Sequence, residues 1–243
     1  MKVHVLTRKE EIDPLRLAGK VVVVLDVLFA TTTMAAALDG GCTEVLPMPD
    51  GEAARAALQR PDAPSGVAAG EWMAQTLPGF VAATPLAVLA QPLSGRRLVY
   101  STTNGTVALL RARGAAEVLA GALVNAAAVV RYLLRVHPER TVVLACAGSA
   151  GRFNLEDFYG AGCLVSLLRE APGPRRFSDS ALAAALLYTH ARGLPHGNDH
   201  PLWQARVGQR MVEKAHAADL SYAARESVLE VVPRMDGERL VLA

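Results

Sequence analysis

The sequence predicts a three-layer α/β/α sandwich built around a mostly parallel β-sheet. Continuous apolar runs rich in valine, such as 21–25 and 141–146, are typical of strands that helices cover on both faces. These runs alternate with polar loops and alanine-rich helical segments, as the strands and crossover helices of a parallel sheet do. No proline-rich or glycine-rich stretch is long enough to separate two domains, so we expect one domain over residues 1–243.

Three strand–loop–helix units follow one another along the chain. In each unit a buried strand leads into a loop of small and polar residues, and a helical segment comes next. The predicted strands are 21–25, 97–100 and 141–146, with shorter ones at 44–48, 67–69 and 117–119, and the predicted helices are 34–38, 106–113 and 154–170.

The first two units resemble each other. Residues 33–46 align without a gap on residues 106–119, which matches a glycine after each helix and a Glu-Val-Leu strand in each unit. The match predicts an internal duplication, although two alanine-rich segments can also agree by coincidence. A duplication would place Thr31 and Asn104 in equivalent loops at the carboxyl ends of two strands, where open α/β sheets bind ligands.

The composition excludes several classes of protein. The 243 residues are 51% hydrophobic and 5% aromatic, and 25 Lys and Arg against 23 Asp and Glu leave a net charge of +2. This balance gives no electrostatic reason to bind nucleic acid or an anionic membrane, and no uncharged run is long enough for a membrane helix. Three cysteines do not make a disulfide framework, and the charged N-terminus lacks the apolar core of a signal peptide. We therefore expect a cytoplasmic protein, and a homo-oligomer is compatible with the sequence.

The loops after the three long strands indicate an anion site. Backbone N–H groups at a helix N-terminus, with hydroxyl and amide side chains beside them, suit a phosphate or a sulfonate. Each loop alone could equally be a helix cap, because Ser, Thr and Asn are the usual capping residues. Three such loops meeting at one edge of the sheet favour a ligand. The residues predicted to bind phosphate are Thr31, Thr32, Thr102, Thr103, Asn104, Gly105 and Arg152.

Carboxylates stand beside these loops. Asp26 directly follows a wholly apolar strand, where an acid without a partner would be costly, and Glu71 follows another predicted strand. Glu156 and Asp157 fall in the first turn of the third helix, where a capping box between Asn154 and Asp157 is the alternative explanation. Hard cations such as Mg²⁺ are held by one or two carboxylates together with substrate phosphate. We predict as Mg²⁺ ligands Asp26, Glu71, Glu156 and Asp157, of which Asp26, Glu71 and Asp157 are also predicted to be catalytic.

The loop after the third strand is also compatible with a second catalytic mechanism. Cys146 and Arg152 have the Cys-x5-Arg spacing of cysteine-dependent phosphatases, and a helix N-terminus would lower the pKa of the thiol. Against this mechanism, Ala145 replaces the histidine that usually precedes the cysteine, and Phe153 replaces the hydroxyl residue that usually follows the arginine. A buried cysteine at a strand end is most often a packing residue. Cys146 is therefore predicted either as a catalytic nucleophile or as an inert core residue.

Taken together, the motifs resemble the 2-phosphosulfolactate phosphatase family. Residues 24–33 read Val-Leu-Asp-Val-Leu-Phe-Ala-Thr-Thr-Thr and are similar to the family signature Asp-Val-Leu-Arg-Ala-Thr-Thr-Thr. The resemblance implies a three-layer α/β fold and a Mg²⁺-dependent phosphatase that hydrolyses 2-phosphosulfolactate, a small phosphorylated and sulfonated acid, to 3-sulfolactate in coenzyme M synthesis. Further similarities follow in the family's order at Gly70-Glu71, 102–106, 146–148, 155–157, Ala161-Gly162, Asp219 and Val232-Pro233.

Two positions depart from the family pattern. Phe29 stands where the family usually has arginine, and Trp72 stands where an arginine commonly follows Gly-Glu. The loss of two guanidinium groups would weaken recognition of a doubly anionic substrate. A related small phosphomonoester is therefore also compatible with the sequence, and so is a non-catalytic homologue that binds small anions.

Overall fold

The structure is a computed structural model that describes residues 1–60 and 65–243, so residues 61–64 of the predicted domain lie outside it. Within the described residues eleven strands form one sheet. Numbered along the chain, they are β1 (Lys2–Leu6), β2 (Val21–Leu25), β3 (Glu44–Met48), β4 (Gly66–Trp72), β5 (Gln75–Thr76), β6 (Arg97–Ser101), β7 (Glu117–Gly121), β8 (Thr141–Cys146), β9 (Arg176–Phe177), β10 (Pro233–Asp236) and β11 (Arg239–Leu242). Their spatial order is β5-β4-β6-β3-β11-β10-β7-β2-β8-β1-β9.

Helices connect most of these strands. The α-helices are α1 (Ala30–Asp39), α2 (Gly51–Gln59), α3 (Pro85–Leu89), α4 (Gly105–Arg111), α5 (Ala126–Val136), α6 (Leu155–Glu170), α7 (Asp179–Ala191), α8 (Pro201–Gln204), α9 (Arg206–Glu213) and α10 (Ala217–Ala223). Short 3-10 helices lie at Lys9–Glu11, Pro14–Arg16, Ala112–Gly114 and Leu123–Asn125. In the part of the chain that the structure describes, no helix is long and apolar enough to cross a membrane.

The sheet is mostly parallel. The β2 strand lies between β7 and β8 and is parallel to both, and β6 lies parallel between β3 and β4. An antiparallel hairpin of β10 and β11 joins these two parallel groups through β7 and β3. Crossover helices oblige their strands to run in one direction, whereas the hairpin needs only a tight turn.

Successive residues of β2 face opposite sides of the sheet and divide the core into two layers. Val21 and Val23 pack with buried residues of α5, α6 and α7. Val22 and Val24 pack on the other face with buried residues of α1 and α4. All five residues of β2 are buried, which is why the strand carries no polar alternation. Helices therefore cover both faces of the sheet, and the predicted three-layer α/β/α sandwich is confirmed.

Two crossovers interleave within the sheet. The α1 helix leads from β2 to β3 and α4 leads from β6 to β7, yet β2 pairs with β7 and β3 pairs with β6. Both helices begin at the carboxyl edge of the sheet, and their first residues, Ala30 and Gly105, meet there. A Cβ atom added to Gly105 would lie 2.3 Å from the Cβ of Ala30. The internal duplication of these two units stays a prediction.

The first crossover helix begins earlier than the sequence predicts. It starts at Ala30 rather than at residue 34, so the threonine run lies inside its first turns. Thr32 Oγ1 donates to Val27 O at 2.6 Å, and Thr33 Oγ1 donates to Phe29 O at 2.7 Å. These hydroxyls are satisfied within the helix and the loop before it, which allows three consecutive threonines to be buried in a helix.

Candidate active site

A cleft of about 320 Å³ opens at the carboxyl edge of the sheet. Its lining comes from the ends of β2, β4, β6 and β8 and from α9 and the segment after it. Of the residues predicted from the sequence, those that line the cleft are Asp26, Glu71, Thr102, Thr103, Asn104, Arg152 and Glu156.

Asp26 lies between the N-termini of two helices. Its carboxylate accepts backbone hydrogen bonds from Ala30, the first residue of α1, and from Gly105, the first residue of α4. The backbone N–H of Asp26 donates in turn to Thr31 Oγ1 at 3.0 Å. Unpaired N–H groups and the helix dipole both favour an anion at such a position. The fold therefore holds Asp26 rigidly at the floor of the cleft.

Glu71 holds two neighbouring loops together. One carboxylate oxygen accepts from Thr103 N at 2.7 Å, and the other accepts from Ala74 N at 2.6 Å and from Thr103 Oγ1 at 3.1 Å. Ala74 and Met73 form the turn between β4 and β5 and have φ values of 63° and 52°. Two successive left-handed residues that are not glycine are strained. The Glu71 carboxylate helps to stabilise this turn at the edge of the cleft.

The acids at the start of α6 have different environments. Both are buried, but Glu156 lines the cleft, whereas the carboxylate of Asp157 accepts from Val27 N at 2.9 Å and from Gly148 N at 3.1 Å. Asp157 thus joins the loop after β2 to the loop after β8. Asn154 makes no side-chain cap to the helix, so the capping box considered from the sequence is not formed.

The four acids, Asp26, Glu71, Glu156 and Asp157, form what we call the carboxylate cluster. Burial raises the pKa of Asp26 to about 7, and repulsion from Glu71 adds to the effect. Burial likewise raises the pKa of Glu156 to about 7, with a contribution from Asp26. The pKa of Asp157 is raised well above its usual range, first by burial and then by Glu156 and Asp26. Mutual repulsion among buried carboxylates is a condition that a bound cation relieves.

The donor set suits Mg²⁺ if the substrate completes it. Among residues 1–60 and 65–243, no three His, Cys, Asp or Glu side chains are arranged to hold a metal ion by themselves. Mg²⁺ usually keeps several waters and is held by one or two carboxylates plus substrate phosphate. Asp26 and Glu156 offer two such carboxylates on one cleft wall. Oxygen-only donors of this kind fit a hard divalent cation.

Cations from outside the predicted motifs complete the site. Lys9 is 8% exposed, and its Nζ donates to Asn104 Oδ1 at 2.8 Å and lies 3.1 Å from Glu10 Oε1. The α9 segment contributes Arg206, Arg210 and Lys214 to the lining of the cleft. Sequence reasoning missed these residues. The spacing of the last three, at i, i+4 and i+8, was the available signal, because it places them on one helix face.

Three predicted phosphate-binding residues, Thr31, Thr32 and Gly105, do not line the cleft. Thr31 and Thr32 are fully buried, and their hydroxyls are used by Asp26 N and Val27 O. The N–H of Gly105 points to the carboxylate of Asp26. All three residues build the junction around Asp26 instead of contacting a ligand.

Comparison with known proteins identifies the family. A family model described as 2-phosphosulpholactate phosphatase matches residues 6–238. The chain belongs to the 2-phosphosulfolactate phosphatase family. A relative from Carboxydothermus hydrogenoformans is 37% identical over 234 residues, which cover 96% of this chain and 92% of the relative. One from Symbiobacterium thermophilum is 36% identical over 233 residues, covering 93% and 95%. Both relatives are named probable 2-phosphosulfolactate phosphatase.

Within this family chain, the structure speaks against Cys146 as a nucleophile. The residue is fully buried among core residues, and burial, followed by repulsion from Asp157 and Glu156, raises the pKa of its thiol well above the usual range. The loop after it does not form a phosphate cradle. Ser149 and Arg152 instead bond each other's backbone across a tight turn. The burial of Cys146 therefore favours the alternative of a packing residue, and a reactive thiol stays a prediction.

The two aromatic residues at positions where the family usually has arginine behave differently. Phe29 lines the cleft, so its ring reduces the polarity of the floor. Trp72 is 57% exposed and is not part of the cleft wall. Only the first substitution therefore changes what a bound substrate touches in this member of the 2-phosphosulfolactate phosphatase family.

Proposed function

We propose that the protein is a Mg²⁺-dependent phosphatase that hydrolyses 2-phosphosulfolactate to 3-sulfolactate and phosphate. The observation that carries the proposal is the position of Asp26. It lies between two helix N-termini, near Glu156, in a cleft that cationic side chains also line. Acids and cations that line one small cleft suit a metal-assisted reaction on a phosphorylated anion. The family membership of the chain supports the same reaction.

The carboxylate cluster divides into two roles in this proposal. Asp26 and Glu156 line the cleft and would hold Mg²⁺, while Glu71 and Asp157 position the surrounding loops through their hydrogen bonds. When bound, Mg²⁺ supplies charge neutralisation to the phosphoryl oxygens and lowers the pKa of a bound water. Two backbone N–H groups and Lys9 favour the ionised form of Asp26 against the larger effect of burial, which raises its pKa, and a bound cation would favour the ionised form further.

The substrate would be held by the remaining cleft residues. Thr102, Thr103 and Asn104 would lie beside the phosphoryl group. The hydroxyls of Thr102 and Thr103 already bond Thr106 N and Glu71, so Asn104 supplies the donor: Lys9 fixes its amide oxygen, and its amide N–H₂ remains available. A phosphosulfolactate also carries a carboxylate and a sulfonate. The cations available to these groups at the cleft wall are Arg152, Arg206, Arg210 and Lys214.

This charge distribution accounts for the loss of the two arginines. Arg206 is close enough to Glu156 to favour its charged form, and Arg206 Nη2 donates to Asn154 Oδ1 at 3.4 Å. Lys214 Nζ donates to Ala74 O at 2.9 Å, across the mouth of the cleft. Cations on α9 and just after it thus line the same cleft as Phe29. They are available to a second anion without an arginine at position 29.

The test is the release of phosphate from 2-phosphosulfolactate and from 2-phospholactate, which lacks only the sulfonate. The purified protein is assayed with Mg²⁺ and with excess EDTA. We expect a higher kcat/KM for the sulfonated substrate and a loss of turnover in EDTA that added Mg²⁺ restores. Equal kcat/KM values would contradict sulfonate recognition. Turnover that is indifferent to EDTA would contradict the role of the metal.

A further inference from the structure

A histidine that lines the cleft pairs with an aspartate, and both lie outside the carboxylate cluster. His216 lines the cleft, and its Nδ1 lies 3.4 Å from Asp219 Oδ2. Asp219 is 6% exposed, and its Oδ1 accepts from Leu86 N at 2.9 Å. The first turn of α3 therefore holds Asp219 in place through this hydrogen bond. Asp219 in turn orients the imidazole of His216.

The pair is more than a helix cap. Asp219 occupies the first turn of α10, where an acid can cap the helix, but His216 makes no side-chain cap to that helix. The oxygen of Asp219 that does not face His216 bonds a different element, α3. An imidazole whose Nδ1 faces a carboxylate has its Nε2 available to a ligand, which is the arrangement of a general acid or base.

An unpartnered hydroxyl lines the same cleft. Thr84 lines the cleft and is 3% exposed, and its Oγ1 has no hydrogen-bond partner among the described residues. It directly precedes α3, whose Leu86 N–H holds Asp219. A buried hydroxyl without a partner is costly and points to a polar ligand group. This observation, which is independent of the histidine, indicates that the polar part of a substrate reaches this hydroxyl.

The geometry of phosphoryl transfer indicates a role for the His216–Asp219 pair. The attacking and leaving oxygens lie roughly in line on opposite sides of phosphorus. If the carboxylate cluster faces the attacking water, the leaving oxygen points away from the cluster. His216, which lines the same cleft as the unpartnered Thr84 hydroxyl, is then a group that can meet that oxygen. We propose that His216, oriented by Asp219, is a catalytic residue that protonates the leaving alkoxide. The inference rests on the proposed phosphatase function and adds the proton donor to it.

The step balances as follows. Water oxygen forms a bond to phosphorus, and the bond between phosphorus and the alkoxide oxygen breaks with its electron pair on that oxygen. The alkoxide takes a proton from His216 Nε2 and leaves as an alcohol. The proton lost by the attacking water passes to the carboxylate cluster and then to solvent, from which the part-exposed His216 is reprotonated. Asp219 does not react; it is a positioning residue.

The test compares leaving groups in His216→Gln and Asp219→Asn. An alkyl ester such as 2-phosphosulfolactate needs a proton donor, whereas p-nitrophenolate leaves without one. We expect His216→Gln to lower kcat for the alkyl ester by about 100-fold or more, and kcat for p-nitrophenyl phosphate by less than about threefold. Asp219→Asn should show the same selectivity with a smaller loss. His190→Gln, an exposed residue of α7 outside the cleft, is the matched control.

The outcomes distinguish a failure of the proton-donor role from a failure of the phosphatase function. Equal losses on both esters, or no loss in His216→Gln, would overturn the role of proton donor while leaving the phosphatase function intact. Absence of phosphate release by the unmodified protein from both esters would overturn the proposed function and this inference with it. Thermal unfolding of each variant shows whether a loss of activity comes from a loss of fold, and rescue of folded His216→Gln by added imidazole supports the role.

Discussion

Gly105 and Asp26 approach so closely that a Cβ atom on the glycine would lie 2.5 Å from Asp26 Oδ2. The same Cβ would lie 2.3 Å from the Cβ of Ala30, so the contact also sets the distance between α1 and α4. No side chain fits this junction without moving the acid or one of the helices. The interleaved crossovers thus determine where the carboxylate of Asp26 lies.

Gly105→Ala should therefore damage both stability and activity. We expect a loss of about 1–3 kcal/mol in the free energy of unfolding, as in other overpacked sites. Displacement of Asp26 should lower kcat by at least about tenfold. Gly193→Ala is the control, because a Cβ atom there meets nothing within 4 Å. Denaturant unfolding and phosphate release measure the two effects, and a fully active Gly105→Ala variant would show that the junction tolerates movement.

Lys9→Met should weaken catalysis through Asn104. The ammonium donates to Asn104 Oδ1 at 2.8 Å and also favours the ionised form of Asp26. Hydrogen bonds from charged groups contribute about 1.5–3 kcal/mol, so kcat/KM should fall by roughly 10- to 100-fold. Lys2→Met, on the exposed face of β1, should change nothing. Unchanged kcat/KM in Lys9→Met would show that Lys9 does not contribute to catalysis.

Cys146→Ala should remain active. The thiol is buried and its pKa is raised by burial, so we expect kcat within about twofold of the unmodified enzyme once folded protein is compared. Removal of the sulfur should cost roughly 1–2 kcal/mol of stability through the small cavity. Cys163→Ala, which is also buried, should behave alike in both measurements. Abolished turnover in folded Cys146→Ala, with Cys163→Ala active, would restore the thiolate mechanism.

The stability of the protein should fall as the pH falls through the range of His200. This residue is buried against Tyr159 and Trp203, and its Nδ1 accepts from Leu202 N at 3.2 Å. Burial, with a contribution from His196, lowers the pKa of His200 from 6.5 to about 4. The unfolded chain thus binds the proton more readily between these values. The stabilisation is complete above about pH 6.5 and is lost towards pH 4.

The effect of this residue should be on the order of 1–2 kcal/mol between pH 7 and pH 4.5. His200→Gln should flatten the fall of the melting temperature over that interval, whereas His190→Gln, at an exposed position, should leave the slope unchanged. Equal slopes in the unmodified protein and in His200→Gln would show that the imidazole is not held neutral by its surroundings.

The sequence predicted the parts of the site that depend on local pattern. Asp26 stands out because it follows five apolar residues, and parallel strands bring their carboxyl ends to one edge. The sequence could not predict which side chains form hydrogen bonds inside the protein instead of lining the cleft. Asp157 bonds Val27 N, 130 positions away in the chain, and such a partner leaves no trace in local spacing.

The differences between the predicted site and the structure have physical causes. The threonines after Asp26 have the hydroxyls that a ligand site needs, but a hydroxyl can also bond a nearby backbone group. The hydroxyls of Thr31 and Thr32 bond the backbone of Asp26 and Val27 instead of lining the cleft. The cations of α9 were missed for the opposite reason. Their spacing places them on one face of a helix. Only the packing of α9 against the cleft brings that face to the position of a substrate.

The most direct test of the central claim is the Mg²⁺ dependence of 2-phosphosulfolactate hydrolysis by Asp26→Asn. The control is Asp39→Asn, an exposed acid at the other end of α1. We predict that Asp39→Asn matches the unmodified enzyme and that Asp26→Asn, although folded, loses at least about 100-fold in kcat and does not saturate with Mg²⁺ at the same concentration. Full, Mg²⁺-saturable activity in Asp26→Asn would contradict the assignment of this carboxylate to the catalytic centre.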